Sequence, residues 1–435
     1  MVVAPQPEQI WPLRPLSHVS PSGDDAASLS EWLRARIVEL GTGNAWNSAV
    51  GSPAAALPAA LQLVIGIGAQ KAGTTSLGAN FKRHRCVLGV KRVSSEMQYW
   101  DRCLYAPDKE LRSTRTTPCS AVEYVRIFQK GNILHSRQSA EAVASRRGSA
   151  VHFSAENATL QAMLARKAAS GCARRAVLFE KTPSYFPTPG VALALRLRMP
   201  QPSALRFVLV LRDPAERTYS NFLMFRAELF HDNDTMEVAV EKRLRAIRRL
   251  LPAGSAPPSL AFDNSSDAYG RLWQAVGAEM YALADPSGRW RKRNKRPEMW
   301  LHRGAIVLKS VYVWQMREWL RHFSGAQFFV ADSAVLRSTQ GAVLAALYGW
   351  LGIGGSYARL VYTGDLPRFG SQGGLKHGAM AAPTRRRLQT FFAPYDRALQ
   401  ELLRRECRDP MGTRFSWIDR WRDEGCAGRV CTTHG

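Results

Sequence analysis

The chain has 435 residues, 46% of them hydrophobic, and its 60 Lys and Arg against 35 Asp and Glu give a formal net charge of +25. The hydrophobic content suffices for a sizeable core, but no apolar run reaches the roughly eighteen residues of a membrane-spanning helix. The start, MVVAPQPEQIWPLRPL, also lacks the basic residues followed by an apolar block that a signal peptide needs. A positive excess of this size indicates a polyanionic partner, which could be nucleic acid, an anionic membrane or an acidic glycan, unless it only reflects an Arg-rich composition.

The seven cysteines are scattered, and none forms a CxxC pair or a Cys/His cluster with metal-ligand spacing, so no zinc site is expected. Their odd number leaves at least one thiol unpaired. Cys426 and Cys431 could close a small loop, although the sequence does not establish the pairing. Three Asn-x-Ser/Thr triplets are consistent with a glycoprotein of the secretory lumen; they begin at Asn157, Asn233 and Asn264.

Residues 1–60 are rich in Pro, Ala and Ser, which predicts an extension or stalk with one helical patch. The main domain, residues 61–435, begins with an apolar, β-branched run from Leu61 to Ile67 that predicts a buried strand. A loop containing two glycines follows, and then a helical pattern that places Leu77 and Phe81 on one face.

Strands and helices alternate through the rest of the chain. Further strands are predicted at Cys86–Val90, Ala176–Phe179, Arg206–Leu211 and Gln327–Ala331. Helices are predicted at Val191–Leu197, after Asp213, at Ala305–Phe323, at Gly341–Leu351 and at Thr384–Glu406, the last interrupted near Pro394. Residues 231–303 break the alternation and are interpreted as a basic insertion. The pattern predicts an α/β fold with a central, mostly parallel sheet, in which ligands bind at the carboxyl ends of the strands.

The loop after the first strand, GAQKAGTT, has the features of an anion site. Glycines let the backbone approach an anion, and a helix N-terminus offers free N–H groups and a positive dipole end. Gly68 and Gly73 have the spacing of a nucleotide P-loop, but Thr74 occupies the place of the P-loop lysine, and the lysine stands at position 71. The loop is therefore predicted to bind a phosphate in a geometry that does not serve MgATP, or else to be a simple turn.

A second strand–loop–helix unit predicts a second anion site. Arg212 ends the strand RFVLVL, and Ser220 lies two turns along the following helix on nearly the same face. Arginine supplies charged, bidentate donors and serine a hydroxyl, so both could hold one phosphate. Alone, the pair is equally compatible with a surface arginine and a serine on a helix face.

Several segments, in the correct order over about residues 61–415, resemble carbohydrate sulfotransferases that use 3′-phosphoadenosine-5′-phosphosulfate (PAPS). GAQKAGTT resembles their 5′-phosphosulfate loop and VLVLRDPAERTYSNF their 3′-phosphate element. EMQYWD and EKTPSYF resemble segments of the heparan sulfate and related enzymes, as do SVYVWQMREWLRHFSGAQFFVADSAVLRS and AAPTRRRLQTFFAPYDRALQELL near the C-terminus. The resemblance implies a three-layer, P-loop-type sulfotransferase fold.

The resemblance also implies residues that hold the donor. Lys71 is expected at the 5′-phosphosulfate, with Arg212 and Ser220 at the 3′-phosphate. The loop residues Ala72, Gly73, Thr74 and Thr75 would surround the 5′-phosphate with N–H groups and hydroxyls. Lys376 would be the C-terminal cofactor lysine, although its surroundings lack the family's Arg-x-His-Pro pattern, which leaves heparan-type and chondroitin-type 6-O acceptors both open.

For catalysis, the resemblance assigns the base to Glu96 and places Lys181 near it and near the sulfuryl group, with Lys71 stabilising the leaving oxygen. A carboxylate within hydrogen-bond reach raises the reactivity of an acceptor hydroxyl, and fixed lysines can stabilise developing charge without a metal. Taken alone, Glu96 could be a surface charge, and Lys181 could pair with its neighbour Glu180. Trp100, Tyr185 and Phe186 are predicted to be core residues rather than ligand stackers.

The prediction is thus a PAPS-dependent carbohydrate O-sulfotransferase with a glycan acceptor, no metal and no nucleic-acid partner, located in the Golgi lumen or secretory pathway. The alternatives are a catalytically silent polyanion-binding protein on the same fold and a P-loop kinase or NTPase. The runs KRLRAIRR and RWRKRNKR could line an acceptor groove, bind phospholipid, or simply be solvated. No membrane anchor is visible in this chain.

Overall fold

The computed structural model describes residues 61–89, 96–105, 124, 172, 176–199, 201–229, 235–250, 273, 305–353 and 379–422. Five strands form one sheet: β1 (Leu61–Gly68), β2 (Val87–Gly89), β3 (Ala176–Lys181), β4 (Arg206–Leu211) and β5 (Phe328–Asp332). The helices are α1 (Thr74–Phe81), α2 (Tyr99–Tyr105), α3 (Val191–Arg198), α4 (Pro214–Leu229), α5 (Met236–Leu250), α6 (Tyr312–His322), α7 (Ser333–Ser338), α8 (Gln340–Leu351) and α9 (Ala382–Glu406).

All pairings in the described sheet are parallel, in the strand order β2-β3-β1-β4-β5. The central strand β1 pairs with β3 through Gly66 opposite Lys181 and with β4 through Gly66 opposite Val208. Strands buried on both faces are composed of continuous apolar runs, and β4, RFVLVL, is such a run. The predicted α/β fold with a mostly parallel central sheet is confirmed.

Helices cover both faces of the sheet. On one face Phe179 of β3 packs edge-on against Phe81 of α1 at 4.8 Å between ring centroids, and Phe329 of β5 lies 5.7 Å from Trp350 of α8. On the other face Phe207 of β4 packs against Trp319 of α6 at 5.0 Å. Because successive strand residues alternate between faces, these contacts define a helix–sheet–helix arrangement of three layers.

Two predicted helices differ in the structure. The predicted helix over Ala305–Phe323 begins only at Tyr312, after a 3₁₀ turn at Leu308–Ser310. The earlier residues hold α4 instead: buried Arg217 donates from Nε to Ser310 Oγ at 2.6 Å and from Nη2 to the Ile306 carbonyl. These contacts take polar groups that a continuous helix would use internally.

The predicted interruption near Pro394 is wrong, because α9 runs unbroken through it. Proline removes only one helical hydrogen bond, and here the cost is offset by the apolar face on either side. Phe392 and Leu399 of that face are almost completely buried, and Tyr395 packs on Trp314 of α6 at 5.1 Å.

Part of the predicted basic insertion belongs to the folded body. The run KRLRAIRR lies on α5, whose Val240, Leu244 and Ile247 are buried. Thr384 of α9 donates to Glu237 at 3.0 Å, which ties α5 to α9. Residues 1–60, the run RWRKRNKR and the three Asn-x-Ser/Thr triplets lie outside the described residues.

A disulfide joins Cys86, immediately before β2, to Cys172, which precedes β3. It links two neighbouring strands across a sequence separation of 86 residues. Cys407 is a free thiol. The Cys426–Cys431 pair considered above lies outside the described residues. Among the helices that the structure describes, none is long and apolar enough to span a membrane.

Candidate active site

Four of the predicted site segments meet at one edge of the sheet. The loop with Lys71 follows β1, Glu96 follows β2, Lys181 ends β3 and Arg212 follows β4. Because these strands are parallel and adjacent, their carboxyl ends lie side by side. The topology therefore assembles residues that are more than a hundred positions apart in the chain.

The loop between β1 and α1 is tightly held. The Ala69 N–H donates to the Val210 carbonyl at 2.7 Å, and a Cβ on Gly68 would come within 2.7 Å of Phe186 Cβ, so only glycine fits there. Lys71 and Gly73 have φ angles of 71° and 94°, which turn the chain into α1. Thr74 is buried, whereas Gly73 and Thr75 are exposed. The N–H groups in the first turn of an α-helix have no intrahelical acceptors, and α1 begins at this edge.

Lys71 and Arg212 lie close together at this edge. Arg212 Nη1 donates to the Lys71 carbonyl at 3.1 Å. Burial lowers the pKa of the Lys71 ammonium, and the charge of Arg212 lowers it further. Arg212 Nε is buried without a hydrogen-bond partner among the described residues. The two neighbouring cations, and the Arg212 Nε donor that lacks a partner, favour an anionic ligand.

Lys181 reaches the same edge through a passage made by two glycines. Its stem lies over Gly66, where a Cβ would come within 3.1 Å of Lys181 Cγ, and over Gly78 of α1, where a Cβ would lie 3.6 Å from Lys181 Cδ. The Nζ atom then donates to Glu96 Oε1 at 2.7 Å and to Thr75 Oγ1 at 3.3 Å. The Lys181 side chain is only 3% exposed, against 29% for Glu96. Lys181 thus connects the predicted base to the phosphate loop.

The segment that carries Glu96 is fixed by side chains of the EKTPSYF segment. Thr182 Oγ1 accepts the N–H groups of Met97 and Gln98 at 3.0 and 3.1 Å. Tyr185 OH accepts the N–H groups of Tyr99 and Trp100 at 2.9 and 3.3 Å. Because these four backbone groups are held by two buried side chains, the two motifs form one unit.

Glu180 lies on the opposite face of β3 from Lys181, so the predicted alternative of a Glu180–Lys181 ion pair is wrong. Its carboxyl group accepts hydrogen bonds from Thr182 at 2.8 Å and from Tyr124 at 2.9 Å. Complete burial raises the pKa of Glu180 to about 8, against the opposing effect of these hydrogen bonds. Glu180 therefore supports Thr182, which in turn holds the Glu96 segment.

Two further residues are predicted to bind the donor. Ser220 is half-buried on α4, and Lys376 lies outside the described residues.

The core positions predicted for Trp100, Tyr185 and Phe186 are confirmed, since all three are almost fully buried. Tyr185 nevertheless has the polar role described above, which the pattern of the sequence did not indicate.

Sequence reasoning missed two charged residues at this edge. Glu216 accepts a hydrogen bond from Arg212 Nη2 at 3.1 Å, and Lys309 Nζ donates to Gln70 Oε1 of the loop at 2.9 Å. Glu216 follows Arg212 by four positions, but Arg212 precedes the start of α4 at Pro214, so helical spacing did not indicate this contact. Nothing local marked Lys309, which reaches the loop across 239 positions.

In the described part of the chain, no cluster of His, Cys, Asp or Glu could hold a metal ion.

The comparisons with known proteins agree with the resemblance of the motifs. No model of a protein family matches the chain. A curated relative, described as a bifunctional heparan sulfate N-deacetylase/N-sulfotransferase 1 from Caenorhabditis briggsae, is 24% identical over 243 residues, which cover 53% of this chain. The matched part corresponds to only 23% of that relative's length. A crystal structure of a sulfotransferase from Alicyclobacillus acidocaldarius superposes with a TM-score of 0.43 at 16% identity, covering 85% of this chain and 100% of that one. Over the matched 243 residues the chain is thus similar to the curated relative with a sulfotransferase activity in its description, in agreement with the motifs.

Proposed function

We propose that the protein transfers the sulfuryl group of PAPS to a hydroxyl group of a glycan, with Glu96 as the base. The observation that carries this proposal is the contact of Lys181 Nζ with both Glu96 Oε1 at 2.7 Å and Thr75 Oγ1 at 3.3 Å. It joins a carboxylate suited to accept a proton to a loop suited to hold a phosphosulfate. The sulfotransferase similarity of the curated relative supports the same reaction class.

The residues present fit such a donor. When bound, PAPS supplies the sulfuryl group and a phosphate as the leaving group. The N–H groups of the first turn of α1 and the exposed Thr75 would hold the 5′-phosphate. Lys71 would lie at the leaving oxygen, where fixed positive charge stabilises the developing negative charge. Arg212, with its unpartnered Nε, would face the 3′-phosphate.

Glu96 is placed to receive the proton of the acceptor hydroxyl. As the new oxygen–sulfur bond forms and the bond to the 5′-phosphate breaks, that proton passes to the Glu96 carboxylate and adenosine 3′,5′-bisphosphate departs. Glu96 is the more exposed partner of the pair, so an acceptor can reach it from solvent, whereas buried Lys181 is directed at the loop. The two residues thus serve the two ends of the transferred group.

The glycan acceptor is supported by charge and by the relative. The net charge of +25 favours an anionic polymer, and the relative's description names heparan sulfate. Arg245, Arg248 and Arg249 of α5 are exposed and form part of a basic surface. The Cys86–Cys172 disulfide supports an oxidising compartment such as the lumen of the secretory pathway.

A sulfate-transfer assay tests the proposal. The full chain would be incubated with labelled PAPS and a panel of desulfated glycosaminoglycans and galactans, without added metal and with a chelator. We expect incorporation into at least one glycan, and a loss of about 10²- to 10⁴-fold in Glu96→Gln, since general-base catalysis contributes about that much. Glu401→Gln, which alters an exposed carboxylate on α9, is the matched control and should retain full activity.

Three results would count against the proposal. Equal transfer by the parent and by Glu96→Gln would reject the base. Glycan binding by a parent chain that neither binds nor turns over PAPS would favour a silent polyanion-binding protein. ATP turnover that requires Mg²⁺ would favour a kinase or NTPase, although Thr74 stands where such enzymes have the P-loop lysine.

A further inference from the structure

Glu216 in the first turn of α4 contacts two arginines from distant parts of the chain. Its Oε2 atom accepts from Arg212 Nη2 at 3.1 Å, and its Oε1 atom contacts Arg385 Nη2. Arg385 lies in the first turn of α9, 169 positions after Glu216. The side chains of Arg212, Glu216 and Arg385 are 19, 28 and 24% exposed, so this cluster, termed the recess, is partly accessible to solvent rather than sealed in the core.

The positive charge in this recess exceeds the negative charge. Two carboxylates, those of Glu216 and Asp213, act on the guanidinium groups of Arg212 and Arg385. Lys71 adds a third cation, since Arg212 Nη1 donates to its carbonyl. Arg337 of α7 adds to the positive field at Arg212, while burial lowers the pKa of Arg212. The buried Nε of Arg212 remains without a partner among the described residues. Such an excess, together with a donor that lacks a partner, suits a dianion such as a phosphate monoester.

Ser220 extends the same recess. It lies four residues after Glu216 on α4, so the two side chains share one face of that helix. A phosphate held between Arg212 and Ser220 would therefore lie near Glu216, the residue that Arg385 of α9 contacts. The start of α9 is fixed independently, because Arg387 contacts Glu241 and Thr384 donates to Glu237 of α5.

We infer that Arg385 is a further ligand of the 3′-phosphate of the donor, held ready by Glu216, and that it helps the site to distinguish nucleotides with a 3′-phosphate from those without one. This inference rests on the proposed function, since it assigns the 3′-phosphate to the recess beside Arg212. A guanidinium can donate to Glu216 and to a phosphate at the same time, because it carries five N–H groups on a planar fork.

The competing interpretation is that Arg385 only ties α9 to α4 through an ion pair. A structural ion pair affects the stability of the fold and all nucleotides alike. A phosphate ligand affects only nucleotides that carry the 3′-phosphate. The distinction can be measured with two ligands that differ in that group alone.

Calorimetry of the full chain with adenosine 3′,5′-bisphosphate and with adenosine 5′-monophosphate provides the test. We expect the parent to bind the bisphosphate more tightly, and Arg385→Ala to weaken bisphosphate binding about tenfold or more, since a charge-assisted hydrogen bond is lost. Binding of the monophosphate should stay unchanged. Arg386→Ala, which removes the adjacent exposed arginine, is the matched control and should change neither affinity.

Should Arg385→Ala fail to fold, Arg385→Gln is the second variant, because glutamine can still donate to Glu216 but has no charge. An unchanged bisphosphate affinity in either folded variant would overturn the inference, as would an equal loss for both nucleotides. A parent chain that binds neither nucleotide would instead overturn the proposed function itself. The failure of the inference and the failure of the proposed function therefore give different results.

Discussion

Lys181 Nζ lies 2.7 Å from Glu96 Oε1, and this contact joins two motifs that are 85 positions apart in the chain. The lysine side chain is 3% exposed and the glutamate 29%, so the ammonium is fixed by its surroundings while the carboxylate faces the solvent. The same ammonium touches Thr75 of the loop at 3.3 Å. The pair is therefore the structural link between the predicted base and the predicted donor site.

Because of this link, we expect Lys181 and Glu96 to act as a unit. Lys181→Ala should lower sulfate transfer about 10²-fold or more, and the double variant with Glu96→Gln should lose much less than the product of the two single effects. Initial rates of sulfate incorporation for the four proteins provide the measurement. Arg196→Ala, which alters an exposed cation on α3, is the matched control and should retain activity. Strictly multiplicative losses would show that the two residues act independently.

Gly66 should be required for the position of Lys181 rather than for folding alone. A Cβ at residue 66 would come within 3.1 Å of Lys181 Cγ and 3.2 Å of its Cβ, so the lysine stem must move. We expect Gly66→Ala to lower kcat about 10- to 100-fold, since small misplacements of reacting groups have effects of that size. The affinity for adenosine 3′,5′-bisphosphate should change much less.

The control for this prediction is Gly349→Ala on α8, where an added Cβ meets nothing within 4 Å. That substitution should leave activity unchanged and slightly raise the melting temperature, because alanine favours a helix over glycine. A Gly66→Ala protein with normal kcat would show that the position of Lys181 does not depend on the missing side chain at residue 66.

Glu180 should make stability depend on pH. Burial raises the pKa of its carboxyl group from 4.5 to about 8 in the folded protein. Between these values the folded state holds a proton that the unfolded state has released. The stability that Glu180 contributes through this proton is therefore fully present below about pH 4.5 and is lost as the pH rises through about 8. Glu180→Gln has a neutral side chain of similar shape at every pH. It should therefore remove the part of the loss of stability with rising pH that comes from Glu180.

Urea unfolding at pH 5 and at pH 8.5 measures the effect. The free energy of unfolding of Glu180→Gln relative to the parent should be higher at pH 8.5 than at pH 5. Glu401→Gln, which alters an exposed carboxylate, is the control, and its free energy of unfolding relative to the parent should be the same at both pH values. If the relative stability of Glu180→Gln is independent of pH, Glu180 is ionised in the folded protein across this range.

Local patterns were sufficient for much of the fold. The apolar runs around Ile65 and Val208 predict buried strands, and the capping group of Asp213 predicts the start of α4, where its Oδ1 accepts the N–H groups of Ala215 and Glu216. These predictions succeed because strand burial and helix capping depend on neighbours a few residues away. The predicted break at Pro394 fails because packing of Phe392 and Leu399 outweighs one lost hydrogen bond.

The sequence by itself determined the strand–loop–helix units and the charged residues at their ends, since both are written in local spacing. Lys71 and Arg212 were singled out in this way. Only the tertiary structure decided which face of β3 each charge occupies: Lys181 turns towards Glu96 through the space left by Gly66, while Glu180 turns to Tyr124. It also brought Arg385 to Glu216. Such pairings depend on strand register and helix packing between residues far apart in the chain, and no local pattern encodes that geometry.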